Sequence, residues 1–408
     1  MKLDIDFVRA QFPAFSDPAL EGWGFFENAG GSYPAAPVVR RLTEFYETCK
    51  VQPYAPYPAS RRAGAWMDEG RERLATWLNI REDELIIGPS TTQNIYMLAH
   101  AAREGMLAEG DEIIVTNQDH EANSGAWRRL ADTGITVREW RMDPETGHLD
   151  PADLDALITD RTRLAALPHC SNIVAEVNPL PQICGKLRAA GVISVVDGVS
   201  AAPHGLPDVP ATGADVYLFS TYKTYGPHQG VMAVRLEIAD RFANQGHWFN
   251  DGYPTKRLAP AGPDHAQVAA LAGMADYFDA LHTHHFVTNA GADGRGQRLH
   301  DLMRAQEVAL TAPLLDYLRG RNDIRLIGPT DPVARAPTIA IQHARPGEAL
   351  AADLARHKVM AGGGSFYANR VLDGLGVDPD HGVLRLSFLH YTTADEIDRL
   401  IEALDRVL

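Results

Sequence analysis

VISVVDGVSAAPHGLPDVPATGADVYLFSTYK, residues 192–223, decides the fold. It opens on an apolar run that ends at Asp197 and closes on a second run, DVYLFS, followed within three residues by Lys223. Runs that are apolar at every position suit strands covered on both faces, as in a mainly parallel sheet flanked by helices. Asp197 and Lys223 lie 223 − 197 = 26 residues apart, a span that accommodates one crossover, so both should stand at successive strand ends. Open α/β sheets bind ligands beyond the carboxyl ends of their strands, which makes both residues site candidates.

The alternation extends outward on both sides. AWMDEGRERLATWLN and TQNIYMLAHAARE read as helices, and DELIIGPS, DEIIVTN, RLAALPH and GVMAVR as strands. This predicts a large α/β domain over 25–286. Beyond HTHHF at 282–286, the helical GADGRGQRLHDLMRAQEVALTAPLLDYLRG precedes IRLIG, PTIAIQ and VLRLSFL, which predicts a smaller α+β domain over 287–408. Residues 1–24 are expected to form a segment packed against the smaller domain. The Pro-rich VQPYAPYP at 51–58 reads as an extended loop.

Two domains also agree with 408 residues, since single cores stop growing near about 250–300. The formal net charge of −15 repels phosphate backbones and anionic lipid surfaces, so neither nucleic acid nor membrane is expected as a partner. The three cysteines, Cys49, Cys170 and Cys184, form no CxxC pair, which argues against a disulfide framework or zinc ribbon and for a reducing cytosol. No signal peptide or membrane span is legible.

Two further strand ends carry chemistry. GPSTTQN at 88–94 offers Ser90, Thr91 and Thr92 beside the free N–H groups of a helix start, which suits a phosphate seat or an ordinary N-cap. In DHEAN at 119–123, His120 could stack on a planar cofactor, move protons or simply hydrogen-bond the fold. Asp197 needs a cationic partner unless it caps a helix. His282, His284 and His285 read as helix-end residues rather than metal ligands, and no metal is expected. GADGRG at 291–296 follows no predicted strand, which makes it a poor dinucleotide fingerprint.

One chemistry needs all four features. Pyridoxal 5′-phosphate (PLP) requires a lysine for its Schiff base, a carboxylate at the pyridine nitrogen, a phosphate seat at a helix start and a ring to stack against. Along nearly its whole length, from FFENAGGSYP at 25–34 to GVLRLSFLHYTTADEIDRL at 382–400, the chain resembles the class V aminotransferase family of PLP enzymes, and within it the cysteine desulfurase and selenocysteine lyase branch.

The resemblance implies fold type I: a mainly parallel, seven-stranded-type sheet in the large domain and a smaller α+β domain. It implies that Lys223 in FSTYKTYGP anchors the cofactor and shuttles the substrate α-proton, that Asp197 pairs with the pyridinium nitrogen, and that His120 stacks on the ring. Thr92, with Ser90, Thr91, Ser220 and Tyr222, would hold the phosphate, and Asn172 in HCSNIVAEVNP would sit beside the phenolic oxygen and the substrate. Arg385 in VLRLS would clamp the substrate carboxylate as a bidentate fork. Ala29 and Gly30 of ENAGGS would form a pocket wall.

Three positions depart from the family pattern. Tyr222 replaces a frequent histidine, Ser200 a frequent glutamine beside the cofactor oxygen, and Pro263 falls where the partner subunit of a homodimer usually touches the phosphate, leaving Asp264 or His265 for that contact. A fourth departure concerns sulfur. Family desulfurases carry a persulfide-forming cysteine on a loop of the small domain, and the corresponding MAGGGSFYANR at 360–370 contains none. The implied activity is therefore a desulfurase-like lyase acting on an amino acid by β-elimination or related Cα chemistry, as a homodimer with its site at the interface. Aminotransferase and epimerase activities are the enzymatic alternatives, and a PLP-binding regulatory protein is the non-enzymatic one.

Overall fold

Six of the apolar runs and one further segment pair into a seven-stranded sheet in the computed structural model, which describes residues 2–286 and 294–408. The strand order is Leu85–Gly88, Gly230–Val234, Val216–Ser220, Ile193–Asp197, Thr162–Pro168, Glu112–Thr116 and Thr136–Trp140. Gly230–Val234 runs antiparallel to both of its neighbours, and the remaining pairs are parallel. Asp197 registers opposite Leu218, so the two strands of the opening stretch are adjacent as their connection length suggests.

Alternation within these runs divides the interior. Ile114, Ala165, Val196 and Phe219 contribute to one buried cluster, while Ile113, Val115, Ala166, Val195 and Leu218 contribute to another. Both faces are dry, which explains why the strands lack polar alternation. At the sheet's edge, Thr136–Trp140 reads TVREW, with four of its five residues outside the core. Its mixed polarity hid it from a reading based on apolar runs.

A four-stranded antiparallel sheet follows, ordered Gly362–Gly364, Val383–Ser387, Thr338–His343 and Ile324–Ile327. Leu314, Ile339, Ile341, Leu384 and Leu404 fill its own core beneath the helices Arg295–Arg319 and Ala394–Val407. The triple-glycine strand was not legible as a strand, because glycine has low β-propensity. Here it is selected by crowding: a Cβ on Gly363 would lie 2.2 Å from the backbone of Gly347.

Other expectations shift in detail. Residues 51–57 form turns and bends rather than an extended loop, and Pro58 opens the long helix Pro58–Trp77, where its missing N–H costs no hydrogen bond. The GADGRG stretch lies partly outside the described residues. In the N-terminal helix Ile5–Ala10, Arg9 Nη1 reaches Glu396 at 3.0 Å, and Phe7 stacks on His284 at 3.8 Å between ring centroids. His284 also meets Asp4 at 2.8 Å, and the Asp4 backbone N–H donates to His285 at 2.9 Å. No helix among the described residues is long and apolar enough to cross a membrane.

Candidate active site

The parallel strands deliver their chemistry to one end of the sheet. Thr91, Thr92, His120, Asn172, Asp197, Ser200, Ser220, Tyr222 and Lys223 all line one cavity there. Ala29, Gly30 and Arg385 join from the other side of an adjoining outer chamber that shares Lys223, His120 and Asn172. Residues 197 and 223 thus face a common space.

Lys223 ends a short 3-10 turn, Thr221–Lys223, directly after its strand. Thr224 Oγ1 donates to Ser220 O at 3.1 Å, while Ser32 Oγ donates to Tyr222 O and accepts from Tyr225 N, so the turn is held on both sides of the lysine. Burial pushes the ammonium down to about 8, helped by the Arg385 charge and opposed by Asp197 and Glu27. A lysine near neutrality is a usable nucleophile and proton carrier.

Asp197 is 6% exposed, and Val199 N donates to its Oδ1 at 2.8 Å. Burial raises its pKa to about 6, and that hydrogen bond and Lys223 oppose the rise. Asp119 lies in the same electrostatic field. Burial and the Asp197 charge raise it well above the usual range, even though it accepts from His120 N at 2.8 Å and from Asn123 Nδ2 at 2.7 Å. The two neighbouring carboxyls thus disfavour carrying two negative charges at once.

His120 performs the structural task weighed for it and also faces the cavity. Its Nδ1 accepts from Ala122 N at 3.0 Å, capping the helix Glu121–Arg128. That bond makes Nε2 the protonated nitrogen of the neutral ring. Burial, with the Lys223 and Arg385 charges, lowers the pKa to about 4, so the imidazole is neutral at physiological pH.

The phosphate candidates separate. Ser90 Oγ accepts from Gln93 N at 3.1 Å as the cap of the helix Thr91–Gly105, and Ser90 is absent from the cavity lining. Thr91 Oγ1 and Ser220 Oγ lie 2.8 Å apart across the gap between strand end and helix start. Thr92 is exposed beside them. Gly230 permits this closeness, because a Cβ there would fall 2.4 Å from Thr91 N. The Tyr222 ring stacks on His228 at 4.6 Å. On the far side of the helix, Asp264 caps His265–His285 by accepting from Gln267 N at 2.9 Å, and it lines a separate groove together with Pro263.

Arg385 is 3% exposed and sits in the middle of the Val383–Ser387 strand. Its Nη2 donates to Glu27 Oε1 at 2.6 Å, its Nη1 reaches Asn172 O at 3.4 Å, and its Cζ stacks 3.7 Å from the Phe366 centroid. Burial lowers its pKa and Glu27 counters this. Asn172 Nδ2 donates to Phe366 O at 3.1 Å. Glu27, Phe366, Tyr367 and Asp119 were not singled out by sequence reasoning, although FFENAGG, SFYANR and DHEAN were all quoted. The signal for Glu27 was present: one acid between two phenylalanines and a run of small residues.

Phe366 and Tyr367 both have φ of +55°, a left-handed conformation that side chains with a Cβ rarely adopt. Asn172 and Glu121 N, which donates to Tyr367 O at 2.9 Å, hold these backbones in place. The rings therefore cover the outer chamber on an over-determined turn.

Comparison with known proteins agrees with this geometry. The chain shares its fold with the apo cysteine desulfurase of Thermococcus onnurineus NA1 (TM-score 0.85, 22% identity, covering 100% of this chain and 98% of that one). It is similarly close to the Escherichia coli cysteine desulfurase CsdA (TM-score 0.82, 25% identity, covering 100% and 99%). The architecture is fold type I of the PLP-dependent enzymes. The family model for aminotransferase class V matches residues 24–246 and 297–400. The aminotransferase-like protein FGM3 of Gibberella zeae is 33% identical across 99% of this chain and 98% of its own length. A cysteine desulfurase of Serratia proteamaculans is 28% identical across 100% and 99%. The chain belongs to the class V aminotransferase family, whose members are PLP-dependent enzymes.

Proposed function

We propose that this chain binds PLP in the Lys223–Asp197 cavity and acts on an α-amino acid as a desulfurase-like lyase that makes no persulfide. The observation that carries the reading is the convergence of Lys223, Asp197, His120, Thr92 and Arg385 on two adjoining chambers. The residues fit the cofactor: Lys223 and Asp197 line one cavity with the Thr91–Ser220 hydroxyl pair at the helix start beside them, an amine, an acid and hydroxyl groups suited to an aldehyde, a ring nitrogen and a phosphate. When bound, PLP supplies an aldehyde for amines and an electron-accepting ring.

The chain's own residues then divide the work. Asp197 would hold a proton at the ring nitrogen, Thr92 and Ser220 would hold the phosphate, and His120 would present its neutral ring to the cofactor. Lys223 would be the covalent anchor and the carrier of the proton to and from the substrate Cα, while Arg385 would orient the α-carboxylate. Of the three cysteines, Cys170 lines the inner cavity, where its thiol donates to Ala175 O at 3.4 Å. Cys49, Cys170 and Cys184 are buried, and burial pushes Cys170 up to about 12 and Cys184 to about 11, which leaves negligible thiolate at neutral pH. The reading includes the division at residues 25–286 and 287–408, and a homodimer whose partner segment near Pro263, Asp264 and His265 completes the phosphate seat.

Incubation of the PLP-loaded protein with amino acids in deuterated water should label Cα for at least one of them, with keto acid and ammonia among the products. Amine transfer to an added keto acid would replace the lyase by an aminotransferase, and inversion at Cα by an epimerase. A loaded protein that labels no amino acid would overturn enzymatic turnover.

Asp197→Asn should separate stability from function. The folded pKa of about 6 exceeds the ordinary 3.8, so the fold favours the protonated acid. The cost of the charge is therefore absent below about pH 4 and fully present above about pH 6. Without cofactor, the variant should gain on the order of 1–3 kcal/mol at neutral pH in urea unfolding, while its affinity for PLP falls. A loss of stability in the cofactor-free variant would refute this account of Asp197.

A further inference from the structure

We infer that the outer chamber selects an α-amino acid with a positively charged side chain, and that Glu27 sets the preference; the inference rests on the amino-acid reading above. The argument is a count of charges around Arg385. The guanidinium is 3% exposed and already holds Glu27 Oε1 at 2.6 Å. Seating a substrate α-carboxylate on the same cation places two anions against one guanidinium; Lys223, the other basic group lining the chamber, serves in the proposed function as covalent anchor and proton carrier and so holds no fixed charge there. An uncompensated buried charge is disfavoured, and substrates with neutral side chains leave it uncompensated. The substrate's α-amine would be spent in bonding to the cofactor aldehyde and would not restore the balance. A side-chain ammonium restores the balance.

Unpaired atoms point the same way. Arg385 Nε, Asn172 Oδ1 and Glu27 Oε2 are all buried without hydrogen-bond partners among the described residues. A carboxylate can satisfy the first, but the other two accept and need a donor. The Gly362–Gly364 strand cannot supply one: a Cβ on Gly362 would lie 2.6 Å from Glu27 Oε2 and 2.8 Å from the Phe366 ring, so a side chain has no room there. Tyr367 lines the same chamber and offers a ring face that attracts cations, while the Phe366 ring already carries Arg385 and the Tyr96 ring Arg129. Glu121 at the rim is paired with Arg370 at 3.1 Å and adds no net charge. The chamber measures about 480 Å³, enough for a long unbranched side chain.

L-lysine and L-norleucine have side chains alike in length but differ by the terminal ammonium. Titrated against the PLP-loaded protein and followed by the cofactor absorbance, lysine should bind on the order of tenfold tighter or more. L-glutamate, a third anion, should bind more weakly than norleucine. Glu27→Gln should bring the lysine-to-norleucine ratio close to one while the cofactor band persists. Glu27→Asp, which keeps the charge and is the safer variant for folding, should retain the preference. Equal binding of lysine and norleucine by the unaltered protein, or a ratio that Glu27→Gln leaves intact, would overturn the inference alone. A band that responds to no amino acid would overturn it together with the proposed function.

Discussion

Lys223→Ala is expected to abolish the visible absorbance of the PLP-loaded protein and to lower turnover by about 10³-fold or more, since it removes both the covalent anchor and the proton carrier. The loss should not come from unfolding. Burial depresses the lysine from 10.5 to about 8, so the native state binds its proton less well than the unfolded chain. That cost is present below about pH 8 and vanishes above the unfolded value. Removing the amine should therefore leave the cofactor-free protein at least as stable at neutral pH, as thermal unfolding would read. The same depression gives the native lysine a pH signature. The free amine attacks the cofactor aldehyde, so loading should accelerate as pH rises and level off above about 8. Lys223→Arg keeps a cation but no nucleophile, and it should lose the band as the alanine variant does. A Lys223→Ala protein that retains the band would refute the assignment.

Arg385→Ala is expected to harm both binding and stability, and the two effects have separate origins. Removing the guanidinium deprives the substrate carboxylate of its fork, for which truncation of a buried charge partner costs about 2–5 kcal/mol, or roughly 30-fold and upward in KM. It also strands Glu27, whose Oε2 is already without a partner among the described residues. Breaking a fully buried pair costs about 3–5 kcal/mol; with Glu27 27% exposed, a loss of about 2–4 kcal/mol in urea unfolding is the expectation. Arg385→Lys keeps a charge but loses the planar fork and the stacking over Phe366, so it should recover more stability than affinity. An unchanged KM in Arg385→Ala would show that the carboxylate binds elsewhere.

These expectations draw on two kinds of residue. Lys223, Asp197, His120 and Thr92 were legible because each follows an apolar run at a distance that a strand end imposes. Short-range pattern suffices for such residues, since the strand's carboxyl end and the next helix start belong to one local unit. Ser90 shows the limit of that method. It has the composition of a phosphate ligand, yet its hydroxyl caps its own helix, and only the direction of a side chain separates the two uses.

Glu27 and Phe366 required the tertiary structure. Glu27 meets Arg385 across 358 residues of chain, and the Phe366 ring stacks on that same guanidinium. No spacing rule links these segments. The edge strand Thr136–Trp140 and the Gly362–Gly364 strand were hidden for a related reason: their pairing is set by neighbours, and neither carries an apolar run of its own.

By itself, then, the sequence determined a covered parallel sheet, the residues presented at its strand ends and, through the resemblance those residues carry, the cofactor chemistry to expect. Hydrophobic runs and turn residues act over a few positions and remain readable in one dimension. The tertiary structure alone decided which carboxylate faces Arg385, which hydroxyl is consumed as a cap and how Phe366 and Tyr367 come to line the outer chamber. Those outcomes depend on charge neutralisation and close packing between segments hundreds of residues apart, where the free energy belongs to the pair and to neither residue alone.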